Sequence, residues 1–237
     1  MKGHKLAVKV RAYLESSLPR LEITVGDNYW DNSMWHARIT GCIAEVGVKN
    51  GFGVEFGRRF MHFKNVEKID YFDFLKRYRA LYVKYGLGKW PGFNERSWTE
   101  IDVTFLDPQN STIALCEYEN KRMEVMDNIV KFRALHSFNS SKFNPSLCLI
   151  GFWASSRKLV EETVKEANVL IKRMTRSEEA TCDGKETYQF DPLKCHWLLF
   201  ALFKDAPAFM VKCMSVILNR RAQKVEETMF DVGHTIH

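Results

Sequence analysis

The sequence predicts an α/β protein: a central mixed sheet flanked by helices. Three observations carry this expectation. Residues 147–153 and 197–203 are continuous apolar runs, the pattern of strands buried on both faces. Residues 98–106 and 112–120 read as strands joined by the turn cluster Asp107-Pro-Gln-Asn-Ser111, and so predict a hairpin. Helical patterns at 122–136 and 157–176 fall between these strands, and alternation of this kind gives a sheet with helices packed on it.

The remaining elements follow in order. Residues 6–14 suit a short strand or a helix, and 21–25 read as a strand. Asp31 or Ser33 caps a helix through about Val48, whose apolar stripe is Trp35, Ile39, Cys42, Ile43 and Val46. Asn50-Gly51 ends it as a left-handed cap, and a short strand follows at 52–56. Residues 58–96 read as an insertion containing a helix at 71–85. Residues 177–193 read as a polar loop, 210–218 as a strand or helix, and the tail after Asn219 as polar and prone to fraying. The organisation expected is one domain over 1–237: a core at 32–155, the insertion, and an extension at 156–237 packed on that core.

Composition narrows the function classes. The chain has 237 residues, 46% hydrophobic and 27% charged, as in an ordinary globular protein. Its net charge of +6 is a mild basic bias that admits a polyanionic partner. Six cysteines without a CxxC pair read as free thiols in a reducing compartment. No apolar run approaches the roughly eighteen residues of a membrane span, and Met1-Lys-Gly-His-Lys-Leu6 lacks the apolar stretch of a signal peptide. A cytoplasmic protein with no membrane partner is therefore expected. No GxxxxGK[ST] and no GxGxxG after a strand is present, which argues against nucleotide-driven enzymes and dehydrogenases.

Chemistry concentrates in the hairpin. In Glu117-Tyr-Glu119-Asn-Lys121, alternating side chains put Glu117, Glu119 and Lys121 on one side of a strand. Asp102, an unusual residue in mid-strand between Ile101 and Val103, can face them across the ladder. Three carboxylates at one place repel unless a cation lies between them. Magnesium prefers such oxygens, and its bound water and charge suit phosphodiester hydrolysis. The plainer alternative is an edge strand with charges facing solvent. Glu45, on the preceding helix, is a fourth acid within possible reach.

The order of helix (Glu45), Gly51-Phe-Gly-Val-Glu55, Ile101-Asp102, then Glu117-Tyr-Glu119 and a helix resembles the PD-(D/E)xK nuclease superfamily over about residues 32–155. The size and element order are also similar to archaeal Holliday-junction resolvases and archaeal-virus nucleases. The resemblance implies a restriction-endonuclease-like core with a helical insertion, acting as a metal-dependent DNA endonuclease. Magnesium, with manganese as a substitute, would be held by Asp102, Glu117, Glu119 and Glu45. Glu119 stands where the family usually has lysine, and a shifted register makes Glu119-Asn120-Lys121 the acid-x-lysine triplet. Asp102, Glu117, Glu119 and Lys121 are thus the catalytic candidates. Dimeric relatives imply a homodimer, and members that have lost cleavage imply the alternative of a binding protein on the same fold. Lys131 and Arg133 on the following helix, and Arg58 and Arg59 in the insertion, are candidates for DNA contacts; a solvated helix face is the favoured explanation for the first two.

Overall fold

The computed structural model describes residues 3–20, 32–59, 71–87, 100–119, 122–138, 143–205 and 210–234. The element order is α1 (Gly3–Ser17), α2 (Asn32–Lys49), β1 (Gly53–Arg59), α3 (Tyr71–Tyr85), β2 (Glu100–Leu106), β3 (Thr112–Glu119), α4 (Arg122–His136), β4 (Phe143–Ala154), α5 (Arg157–Met174), β5 (Glu178–Cys182), β6 (Glu186–Phe190), β7 (His196–Asp205), β8 (Met210–Leu218) and β9 (Lys224–His234). Seven strands form one mixed sheet in the order β1-β2-β3-β4-β7-β8-β9. β4 runs parallel to both β3 and β7, while the other neighbouring pairs are antiparallel. The expected α/β architecture, a mixed sheet with helices on it, is what the chain adopts.

Two apolar layers sandwich this sheet. On one face α1 and α2 bury Leu6, Val10, Ile39 and Ile43 against Phe105, Cys116, Leu149 and Phe200. On the other, α3, α4 and α5 bury Tyr78, Ile129, Phe132, Val160 and Ile171 against Leu115, Ile150, Trp197 and Leu199. The central strands are therefore apolar on both sides, as their unbroken runs require. Gly151 in β4 is needed for close approach: a Cβ there would come within 2.1 Å of the Phe200 ring. Phe200 in turn stacks on Tyr118, with ring centroids 6.1 Å apart.

α4 is the innermost helix. Val125, Met126, Ile129, Val130, Phe132, Ala134 and Leu135 are all buried. Its polar residues Asn128, Lys131, Arg133 and His136 are buried as well, while Glu124 and Asp127 are partly exposed.

The structure decides two alternatives left open and corrects two other expectations. Residues 6–14 belong to a helix, α1. The stretch read as a polar loop at 177–193 contains the two-stranded sheet β5–β6, turned at Asp183-Gly184 with both residues at positive φ. Residues 210–218 form a strand, and the tail expected to fray forms β9, paired with β8 along most of its length. Strands β7 to β9 continue the main sheet directly from β4, so residues 196–234 build the same sheet as the hairpin. The strand read at 21–25 lies outside the described residues. Among the described residues no helix is long and apolar enough to cross a membrane.

Candidate active site

The site forms where β2 and β3 part. Their ladder ends at Val103↔Cys116, which leaves Asp102 and Glu117 opposite each other just past the last paired rung. The pairing of β1 with β2 passes from Phe56↔Val103 to Arg58↔Ile101, and Gly57, opposite Asp102, takes φ 55°. Left-handed backbone of this kind favours glycine. β2 turns over at this point: Ile101 packs in the layer of α3 to α5, but Val103 packs in the layer of α1 and α2. Asp102 sits at the crossover. Its carboxylate fills the empty rung, accepting a hydrogen bond from the Tyr118 backbone N–H at 2.9 Å.

His36 of α2 reaches the same carboxylate, with Nε2 2.9 Å from Oδ2. The hydrogen bond to Asp102 raises the His36 pKa, against the opposing effect of burial. Burial pushes Asp102 upward, but His36 and the Tyr118 N–H outweigh it and hold the carboxyl below its ordinary value. Each group of the pair thus favours the charged form of the other.

Glu117 is buried, and its carboxylate accepts a hydrogen bond from Lys131 Nζ, an equally buried ammonium from α4. Lys131 also donates to the Glu100 carbonyl at 3.2 Å. Burial drives the Glu117 pKa well up; Lys131 opposes this, and the charges of Asp102 and Glu119 add to it. Glu119, two residues on and on the same face, accepts from the Asn128 amide. Burial and the neighbouring Glu124 push Glu119 up to about 8. Asp127 is pushed up to about 6 by burial, with Glu124 adding to it. Five carboxyls, those of Asp102, Glu117, Glu119, Glu124 and Asp127, therefore share one region with one ammonium and one imidazole.

Burial and mutual repulsion thus favour the neutral form of Glu117 and Glu119, and a bound divalent cation would favour the charged form instead. Among the described residues no three His, Cys, Asp or Glu side chains converge as a ready-made metal cage. Magnesium does not require one. It is commonly held by one or two carboxylates and keeps several waters. Asp102 and Glu117 stand opposite each other across the parted strands.

The structure brings Asp102, Glu117 and Glu119 together and separates the other candidates. Glu45 does not reach the site. It lies two and a half turns beyond His36, on the opposite side of α2, where it is exposed and paired with Lys49 at 2.7 Å. His36 is the residue of α2 that arrives, and its signal was its phase with the buried Ile39 and Ile43. Lys131 is not a surface contact for phosphate; it is the ammonium of the site. Arg133 is 0% exposed, and its guanidinium donates to Glu178 and to the Asp191 and Arg176 carbonyls. Arg133 therefore offers no exposed surface for a DNA contact. Lys121 and the side chains of Arg58 and Arg59 lie outside the described residues.

The basic, aromatic helix α3 also has an internal partner. Lys76 pairs with Glu186 at 2.9 Å, Arg79 with Asp183 at 3.0 Å and Lys84 with Glu178 at 3.1 Å, all on β5–β6 or its turn. Tyr78 and Tyr82 are buried in the core. The helix of the insertion holds the hairpin of the extension. No protein-family model, curated protein or solved structure matches the chain.

Proposed function

We propose that the chain is a magnesium-dependent DNA endonuclease, with manganese as a substitute, acting as a homodimer by analogy with the superfamily it resembles. One observation carries the reading: two carboxylates, Asp102 and Glu117, face each other at the end of parted strands with a buried ammonium, Lys131, on one of them. The resemblance asks for an amine two residues after Glu117, where this chain has Glu119. Lys131 brings that amine from the next helix.

The division of labour follows from the contacts. Asp102 and Glu117 would hold the cation. His36 and the Tyr118 N–H fix the orientation of Asp102. Asn128 orients Glu119 so that its carboxyl is available to a water at the site. Lys131 places positive charge where the phosphate gains negative charge as water attacks, the arrangement that most lowers such barriers. When bound, the cation supplies Lewis-acid polarisation of the phosphate and a more acidic water. The net charge of +6 suits a polyanionic substrate.

The test is cleavage of supercoiled plasmid with magnesium or manganese. The native chain should nick it, and Asp102→Ala should not; full activity in that variant overturns the assignment. A second reading, a DNA-binding protein without cleavage, draws on the ion pairs that already occupy Glu117 and Asp102. It expects salt-sensitive binding that survives Glu117→Ala and no nicking with either metal.

A further inference from the structure

Two sulfurs outside the carboxylate region lie nearly in bonding range. Cys148 is in β4, and Cys195 is in the irregular stretch 191–195 that leads into β7. Both are buried, and their Sγ atoms are 3.5 Å apart. A disulfide needs about 2.05 Å, so each sulfur must move by less than about 1 Å. The other buried thiol in this part of the sheet, Cys116, belongs to the opposite apolar layer, with the sheet between it and Cys195.

We propose that Cys148 and Cys195 are a disulfide-forming pair that staples the C-terminal extension to the core. Cys148 falls within residues 32–155 and Cys195 beyond them, so the bond would join the hairpin-bearing sheet to the segment arriving from β5–β6. The reaction is thiol–disulfide exchange with a low-molecular-weight disulfide. One cysteine sulfur attacks it, releases one small thiol and forms a mixed disulfide. The second cysteine sulfur then displaces the other small thiol. Two protein thiols are oxidised, one small disulfide is reduced to two thiols, and the two protons end on those thiols. Because both sulfurs are buried, exchange proceeds through local opening and is slow, on the order of minutes to hours.

The bond closes a loop between residues 47 apart. Closing a loop of that length in the unfolded chain should raise the melting temperature by on the order of 10 °C. The experiment is incubation of the full chain with oxidised glutathione or with a reductant, alkylation in denaturant, and a non-reducing peptide map. The expected result is a linked Cys148–Cys195 peptide, two fewer alkylated thiols and a higher melting temperature, with the rise absent in Cys195→Ala. If oxidation that modifies the half-buried Cys42 yields no Cys148–Cys195 peptide, or links other cysteines instead, the proposal is overturned. The map of the native chain decides this even where Cys195→Ala folds poorly.

Discussion

α4 carries two buried cations two residues apart, on opposite faces, and each meets a glutamate. On one face Arg133 meets Glu178, 3.4 Å away, and the same carboxylate also takes Lys84 at 3.1 Å and the Tyr85 hydroxyl. On the other, Lys131 meets Glu117, but four more carboxyls crowd the region and one imidazole is the only further cation described there. The first cluster has all the positive charge it needs and holds three elements together: α3, α4 and β5. The second gathers more acids than cations among the described residues. Similar residue types on one helix thus make a clamp in one place and sit in a cluster rich in acids in the other, and the local balance of charge among the described residues is the difference.

Removing the lysine is the most direct way to break this comparison. Lys131→Met should lower cleavage by roughly a hundredfold or more, because one transition-state charge partner is lost. The same change removes the ammonium that competes for Glu117, so calorimetric titration should show tighter magnesium binding. Weaker magnesium binding would mean that the cluster is a clamp like its neighbour. On the other face, Glu178→Gln strands a buried guanidinium and should cost about 4 kcal/mol in denaturant unfolding, as one-sided loss of a buried ion pair does. Magnesium affinity should not change.

His136, one turn beyond Arg133, sharpens the comparison through pH. Burial, helped by the charge of Arg133, lowers its pKa to about 4. The unfolded chain takes up the proton near the ordinary value of 6.5 and the folded chain does not. Stability is therefore full above about pH 6.5 and falls as the pH drops towards 4, by on the order of 2 to 3 kcal/mol. His136→Gln should flatten that part of the acid-unfolding curve; an unchanged curve in the variant would assign the loss to other groups. The smallest effect belongs to Glu45→Gln. This exposed residue, paired only within its own helix turn and with Tyr13, should leave plasmid nicking and melting temperature unchanged.

Much of the fold was legible because its signals are local. The hairpin turn, the two-sided apolar strands and the helices at 71–85 and 122–136 are written in consecutive residues. What went unread had weak local signals. β9 is a sheet-edge strand whose apolar residues do not keep to one face, Val225 and Met229 being exposed, and β5–β6 announces itself only by Asp183-Gly184 between short alternating runs. Within the site, the hairpin acids were legible from alternation and His36 from helix phase. Arg133 falls on the arc of α4 occupied by Val125, Met126, Ile129 and Val130, and reading that arc would have placed it indoors; Lys131 falls between Glu124 and Asp127, so its burial had no such signal. His36 was in phase with its helix's buried stripe, and Glu45 was not. The turning over of β2 at Asp102 had no reliable signal beyond Gly57, because hairpin alternation alone predicts an unbroken ladder where the structure leaves a rung empty.

The shared sheet has a consequence for anyone who tries to trim this protein. β4 is bonded to β3 on one edge and to β7 on the other. A fragment ending near residue 155 would keep every acid of the site yet bare a long, flat, apolar strand edge of the kind that recruits other chains. It should precipitate where the intact chain stays dispersed, so the smallest workable unit includes the three closing strands.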